Sequence, residues 1–404
     1  MGGFLLNLRD PMGVPFHPVV FQVLMILTFA LHIMFVNFVV GGTLIALWGR
    51  LRGDKYGIKL SKAFARANTV NTSVAIVLGV APLLFVQVIY DPLWYNANNI
   101  SAWWALFFLI TIAAAFTCAY LFYLGKSEKG GNPVWSLLSL AALVLSGVII
   151  HAISVQMLHP EKWSQWITAS GKVNLFGNRL YGFSLPRFLH FMVPSVALAG
   201  VYMMLYSWYF REREDRDPNY VQWVGELGVK IAIFASLIQA AVGVWWLLTI
   251  PSDLGFMTNP FFLVGALVAL AFIGWLFVAR KDPAANGLKT ALFAFVAVFA
   301  MAASREALRS AYLSRFNYSI LTYKINWSIG STLLFFATFV MGLIVISYPL
   351  LLAFHAGRTP DSRAPLKLEG LNKLGRLVVF LPVLWLIVVV ALGISISIKN
   401  GVLF

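Results

Sequence analysis

The residues of this sequence best suited to chemistry in an apolar setting are its six histidines: His17, His32, His151, His159, His190 and His355. His32, His151 and His190 lie well inside long apolar runs, where an ionisable side chain is costly and is usually kept for function. His17, His159 and His355 fall at the edges of such runs, and His159 precedes Pro160, as a helix end would. The plainer alternative for the three interior histidines is an imidazole bonded to a backbone carbonyl of a neighbouring helix. Arginines accompany them: Arg187 stands one helical turn before His190, and Arg305 and Arg309 fall together further on. A guanidinium matches planar anionic groups with two parallel hydrogen bonds.

What must position these residues is a membrane bundle. Hydrophobic residues make up 60% of the 404 and charged residues 11%, against roughly 25% charged in a soluble domain. We read ten spans: Val19–Trp48, Val70–Ile89, Trp103–Leu124, Val134–Leu158, Phe188–Phe210, Val229–Ile250, Phe261–Val278, Leu288–Ala303, Ile329–Phe354 and Leu377–Ile398. The fold class is thus all-α, a single integral membrane domain over 1–404. The first run is too long for the apolar part of a signal peptide and reads as a retained span.

Lys and Arg alternate between loops. Arg50, Arg52, Lys55, Lys59, Lys62 and Arg66 follow span one, and the loops after spans three, five, seven and nine are also basic, with Lys126, Lys129, Arg363 and Lys367 among their charges. The loops after spans two and six carry none. The positive-inside rule then places both termini outside. The net charge of +15 follows from this loop bias and needs no nucleic acid. In this topology His17, His32, His151, His159 and His190 share the outer leaflet, with His151 ~10 Å in from the end of its span. Leu158–Arg187 and Ser304–Ser328 are outer loops that break the pattern by being basic and aromatic.

Three imidazoles and nearby arginines at one depth suit haem, whose iron takes neutral imidazole and whose apolar body a bundle can bury. Other chemistries are excluded. Cys118 is alone and no Cys-x-x-Cys-His occurs, so the chain carries neither a disulfide framework nor covalently attached haem. No Glu-x-x-His pair occurs in the bundle, which argues against a di-iron carboxylate site. Spans one to five lack central Asp or Glu, and Glu306 and Asp253 fall at outer ends, so a carboxylate proton path is not evident.

The run His32-Ile-Met-Phe-Val-Asn-Phe-Val-Val-Gly41-Gly42 resembles the first helix of subunit I of cytochrome bd quinol oxidases, with a haem-ligating His and a basic loop after the helix. Leu78-Gly79-Val80-Ala81 is similar to that family's second helix, and Pro186-Arg187-Phe188-Leu189-His190 to the start of its fifth, where a His ligates the low-spin b haem. Ser304-Arg305-Glu306-Ala307-Leu308 sits where the family carries Gly-Arg-Gln-Pro-Trp and shares its Arg. The sequence also departs from the family. Paired glutamates are missing from Trp103–Leu124, the quinol-binding loop is reduced to Pro251–Asn259, Leu263 falls nearest the family's axial Met, and a tenth span follows.

The resemblance implies a bd-like scaffold holding one or two b haems, with quinone or quinol as substrate, and the departures weigh against oxygen reduction. The expected function is a haem b electron-transfer subunit of a quinol-linked oxidoreductase complex in a bacterial-type inner membrane. His32, His151 and His190 are the candidate iron ligands, His151 standing in for the axial Met. Arg187, Arg305 and Arg309 are the candidate propionate or docking charges. A multihaem cytochrome c or an iron–sulfur subunit is the expected outer partner, and a quinone pocket is expected near Trp245, Trp246 and Asp253. The alternatives are a terminal quinol oxidase subunit, a haem-free quinone-binding anchor, and a solute transporter; no inverted repeat supports the last.

Overall fold

The protein is described by a computed structural model covering residues 2–125, 127–128, 130–168, 172–174, 176–358 and 369–402. Lys126, Lys129, Arg363 and Lys367 of the basic loops lie outside the described residues. The helices in chain order are α1 (Gly2–Asn7), α2 (Pro18–Arg52), α3 (Lys55–Ile89), α4 (Asp91–Ile100), α5 (Ala102–Tyr123), α6 (Pro133–Gln156) and α7 (Trp163–Ile167). They continue with α8 (Leu185–Met192), α9 (Pro194–Phe210), α10 (Pro218–Thr249), α11 (Pro260–Ala279), α12 (Pro283–Ser314), α13 (Ile329–Arg358) and α14 (Glu369–Lys399). Among the described residues ten spans are long and apolar enough to cross a membrane, with α8 and α9 together forming the fifth. The chain is an all-helical, multi-pass membrane protein.

Local chemistry explains where these helices begin. His17, Asn132, Asn259 and Asp282 each cap the first turn of α2, α6, α11 and α12 with a side-chain acceptor, and a proline follows each cap. The cap satisfies an orphan N–H, and proline at the first helical position has none to satisfy. Pro194 divides the fifth span. It lacks the N–H that would bond to the carbonyl four residues earlier, that of His190.

One compact unit comprises Met1–Trp208 and Pro218–Ile325, and a second comprises Tyr209–Asp217 and Asn326–Phe404. In the second unit, Tyr209 donates to the carbonyls of Ala353 and Phe354, and Arg213 donates to that of Gly357. In the first unit helices approach closely at small residues. A Cβ on Gly41 would lie 1.9 Å from the carbonyl oxygen of Ser195, and one on Gly200 2.5 Å from that of Gly228. Small residues let membrane helices gain packing contacts where no hydrophobic driving force separates helix from lipid.

One end of this unit is closed by a cap built from Leu5, Phe16, Ile89, Leu93, Trp163, Tyr318, Ile320 and Tyr323. Val14 N–H donates to the carbonyl of Lys324 at 2.9 Å, and Val14 and Ile325 form a parallel bridge. Gly13 has φ 73°, and a Cβ there would fall 2.2 Å from that same carbonyl oxygen. One expectation of extent changes. Span eight does not stop at Ala303: α12 runs to Ser314, so Arg305 and Arg309 are on a helix and not in a loop. The short Pro251–Asn259 connection forms two 3-10 turns, Ser252–Leu254 and Phe256–Thr258.

Candidate functional site

Two histidines are seated in the same way. The His32 ring on α2 lies over Gly79 of α3, where a Cβ would meet Cε1 at 2.8 Å. One turn before that glycine, the carbonyl of Ala75 contacts His32 Nδ1 at 2.9 Å. A carbonyl oxygen only accepts, so this partner assigns the proton to Nδ1 and leaves a lone pair on Nε2. A ligating histidine usually shows this arrangement, with its other nitrogen donating to a carbonyl.

His190 on α8 repeats the plan on α10. Its ring lies against Gly243, where a Cβ would meet Cε1 at 3.1 Å. One turn before Gly243, Gln239 Nε2 lies 3.0 Å from His190 Nδ1 and donates to the His190 carbonyl at 2.9 Å. That carbonyl is the one Pro194 leaves without a helical donor. One turn after Gly243, Trp246 packs on the imidazole with ring centroids 4.9 Å apart. Gln239, Gly243 and Trp246 thus form one stripe of α10 at helical spacing.

His151 on α6 is buried at 6% exposure. Its ring is surrounded edge-on by Phe183, Phe188 and Phe191. Its Nε2 accepts from the Ser184 N–H at 3.3 Å, and Nδ1 has no partner among the described residues. Phe191 lies between His151 and His190, its centroid 6.4 Å from each. The other histidines are peripheral. His17 caps α2, His159 contacts Glu161 at 2.8 Å, and His355 contacts the Leu351 carbonyl.

The three expected arginines come together at one end of this unit. Arg187 lies over the rings of Phe191 and Trp246, each 5.9 Å away. Arg305 lies over Phe29, one turn before His32, at 4.5 Å. Arg309 lies over Tyr90 at 4.8 Å and pairs with Glu306 at 2.9 Å. Arg187, Arg305 and Arg309 act on one another electrostatically. Nε of Arg187 and Nε of Arg305 are buried without a partner among the described residues.

Sequence reasoning placed Glu306 at an outer end and gave it no role. It is 3% exposed, and it accepts from Tyr90 OH, from Arg309 and, at 3.3 Å, from Gln22. The available signal was its spacing of three residues from Arg309, which puts both on one helix face. Gln239 was also missed, although its spacing to Gly243 and Trp246 was legible. Of the residues expected near a quinone pocket, Trp246 packs on His190, Trp245 is 45% exposed, and Asp253 is exposed and paired with Arg315. Leu263, nearest the family's axial Met, is 52% exposed on α11. Among the described residues no three His, Cys, Asp or Glu side chains converge as a metal-ion cage.

Fold and site together define a multi-pass helical membrane protein with two glycine-seated imidazoles beside a buried arginine cluster. Neither protein-family profiles nor curated proteins match the sequence. Among solved structures the chain is similar to "The structure of bd oxidase from Geobacillus thermodenitrificans", with a TM-score of 0.60 and 13% identity over 85% of this chain and 100% of that one. The fold is therefore that of a cytochrome bd oxidase chain.

Proposed function

We propose that the chain is a haem b electron-transfer subunit of a quinol-linked redox complex in a bacterial inner membrane. The observation that carries this reading is the pair of seated imidazoles, His32 over Gly79 and His190 over Gly243, each with Nδ1 occupied and with arginines one turn away. The donor set suits a b-type haem. Three guanidiniums against one carboxylate leave two positive charges over, which matches two propionates. Unpaired buried charge is costly, and the two unpartnered Nε atoms are the donors such anions would take. His32 and His190 would hold iron through Nε2. His151, whose Nε2 is already engaged, would have only Nδ1 to offer. When bound, the haem supplies one-electron oxidation and reduction.

The residues around it position and insulate. Gly79 and Gly243 admit the rings, Trp246 and the phenylalanines about His151 exclude water, and the arginines hold the anionic edge. Quinol is the proposed electron source. A multihaem cytochrome c or an iron–sulfur protein on the outer side is the proposed partner, since the chain has no second redox motif of its own. The terminal-oxidase reading gains one observation: Glu306 with Tyr90 places a buried protonatable pair in the bundle. Quinol-dependent oxygen uptake by the purified protein would favour that reading.

The test of haem binding is spectroscopic. Reduced-minus-oxidised spectra of membranes should show a b-type band that His190→Ala abolishes and His32→Ala diminishes or abolishes, with both variants still inserted. Full haem content in both variants would overturn the assignment and favour a haem-free quinone-binding anchor.

A further inference from the structure

His32 and His190 share a seat but differ in what meets Nδ1, and the difference fixes where each ring carries its proton. At His32 the partner is a carbonyl, so the proton is on Nδ1 and Nε2 is bare. At His190 the partner is an amide nitrogen. Gln239 Nε2 has two N–H groups; one is committed to the carbonyl that Pro194 frees, and the other points to Nδ1. Nδ1 therefore accepts, and in the neutral ring the proton sits on Nε2. In that tautomer Nε2 has no lone pair for a metal.

The carboxamide has a second orientation. Its Oε1 is buried and has no hydrogen-bond partner among the described residues, which is itself costly. Turned end for end, the amide would present Oε1 to Nδ1 as an acceptor, at the expense of its donation to the His190 carbonyl. Each orientation leaves one oxygen short of a donor, so neither is held by a full set of bonds.

We infer that Gln239 is a positioning residue that couples its own orientation to the tautomer of His190, donating to Nδ1 in the metal-free chain and accepting from Nδ1–H once Nε2 holds iron. The ring stays neutral throughout: before haem fills the site, one proton leaves Nε2 to solvent and one arrives at Nδ1 from solvent. This rests on the haem-binding reading for its second half only, since the tautomer of the metal-free ring is a property of the chain alone.

Two measurements test the two halves. In haem-free protein with nitrogen-15 in its histidines, His32 should appear as the Nδ1–H tautomer and His190 as the Nε2–H tautomer. Finding His190 as Nδ1–H would overturn the first half, whatever the protein binds. In the haem-loaded protein, Gln239→Glu supplies a stronger acceptor for Nδ1–H, which raises the basicity of the ligand. It should favour oxidised iron about tenfold, a 59 mV lower one-electron midpoint potential. Gln239→Leu, which offers no acceptor, should shift the potential the opposite way while haem is retained. If Gln239 only braced the helix break at Pro194, both variants would lose thermal stability and keep the parent potential, and that result would overturn the second half. A parent protein that takes up no haem b would refute the functional reading and leave the nitrogen-15 result standing by itself.

Discussion

Gly79 is where a single atom decides most. A Cβ there would come within 3.0 Å of His32 Nδ1 and closer still to Cε1, and a larger side chain would push the ring off the Ala75 carbonyl. Gly79→Val should lower haem content towards the level of His32→Ala without preventing insertion, as read by haem extraction against protein immunoblot; parent-level haem would show that the ring does not need this seat. Outside the spans, His159 gives a pH dependence. Burial outweighs its contact with Glu161 and holds its pKa below the ordinary 6.5. The folded chain then refuses a proton that the unfolded chain accepts, so the contribution of His159 is present above 6.5 and is lost as pH falls through the folded value. His159→Gln should flatten the acid side of the melting temperature against pH, and an unchanged slope would count against it. Nearby, burial raises the Asp91 carboxyl, pushes Tyr318 up to about 12 and raises Tyr323, so Tyr318 and Tyr323 stay protonated donors at neutral pH.

The elements were legible to the degree that their apolar runs were unbroken. All ten spans stand out because each has some twenty residues to bury in lipid, and sequence places them with soft ends. Span eight was cut short because Arg305, Glu306 and Arg309 look like a loop when charge is counted along the chain. They continue α12 because Glu306 and Arg309 pair with each other and both contact Tyr90, at the junction of α3 and α4. The histidines were legible for the same reason that Gln239 was not: an imidazole in a span suggests a ligand, whereas an amide there suggests only a polar defect until Pro194 and the His190 carbonyl are seen beside it. Glu306→Gln tests the α12 account. Removing one partner of a buried pair costs roughly 3–5 kcal/mol, so the variant should melt well below the parent in detergent. A melting temperature equal to that of the parent would mean that Arg309 is satisfied elsewhere.

At the scale of the whole molecule, the charge alternation of the loops predicts that both termini lie on the outer side. A reporter fused after Phe404 should be active only if it is one that folds outside, and activity of a cytoplasmic reporter would reverse the sidedness. The proposed outer partner should dissociate with rising salt where its contacts to the basic outer loops are exposed; salt-independent co-purification would point to an apolar interface. The cap has a further consequence, in time. Arg9 reaches Thr322 across 313 residues of chain, and Val14 bonds to Lys324. Chains are made at about 5–20 residues per second, so roughly 15–60 s pass between synthesis of the N-terminal segment and arrival of its partners. Through that interval eight spans insert while Leu5 and Phe16 wait without the Tyr318–Tyr323 side of their core. Closure of the cap therefore waits until every span before it has been made. A nascent chain arrested before Tyr318 should be cut by protease near Gly13, and one released after Ile325 should resist.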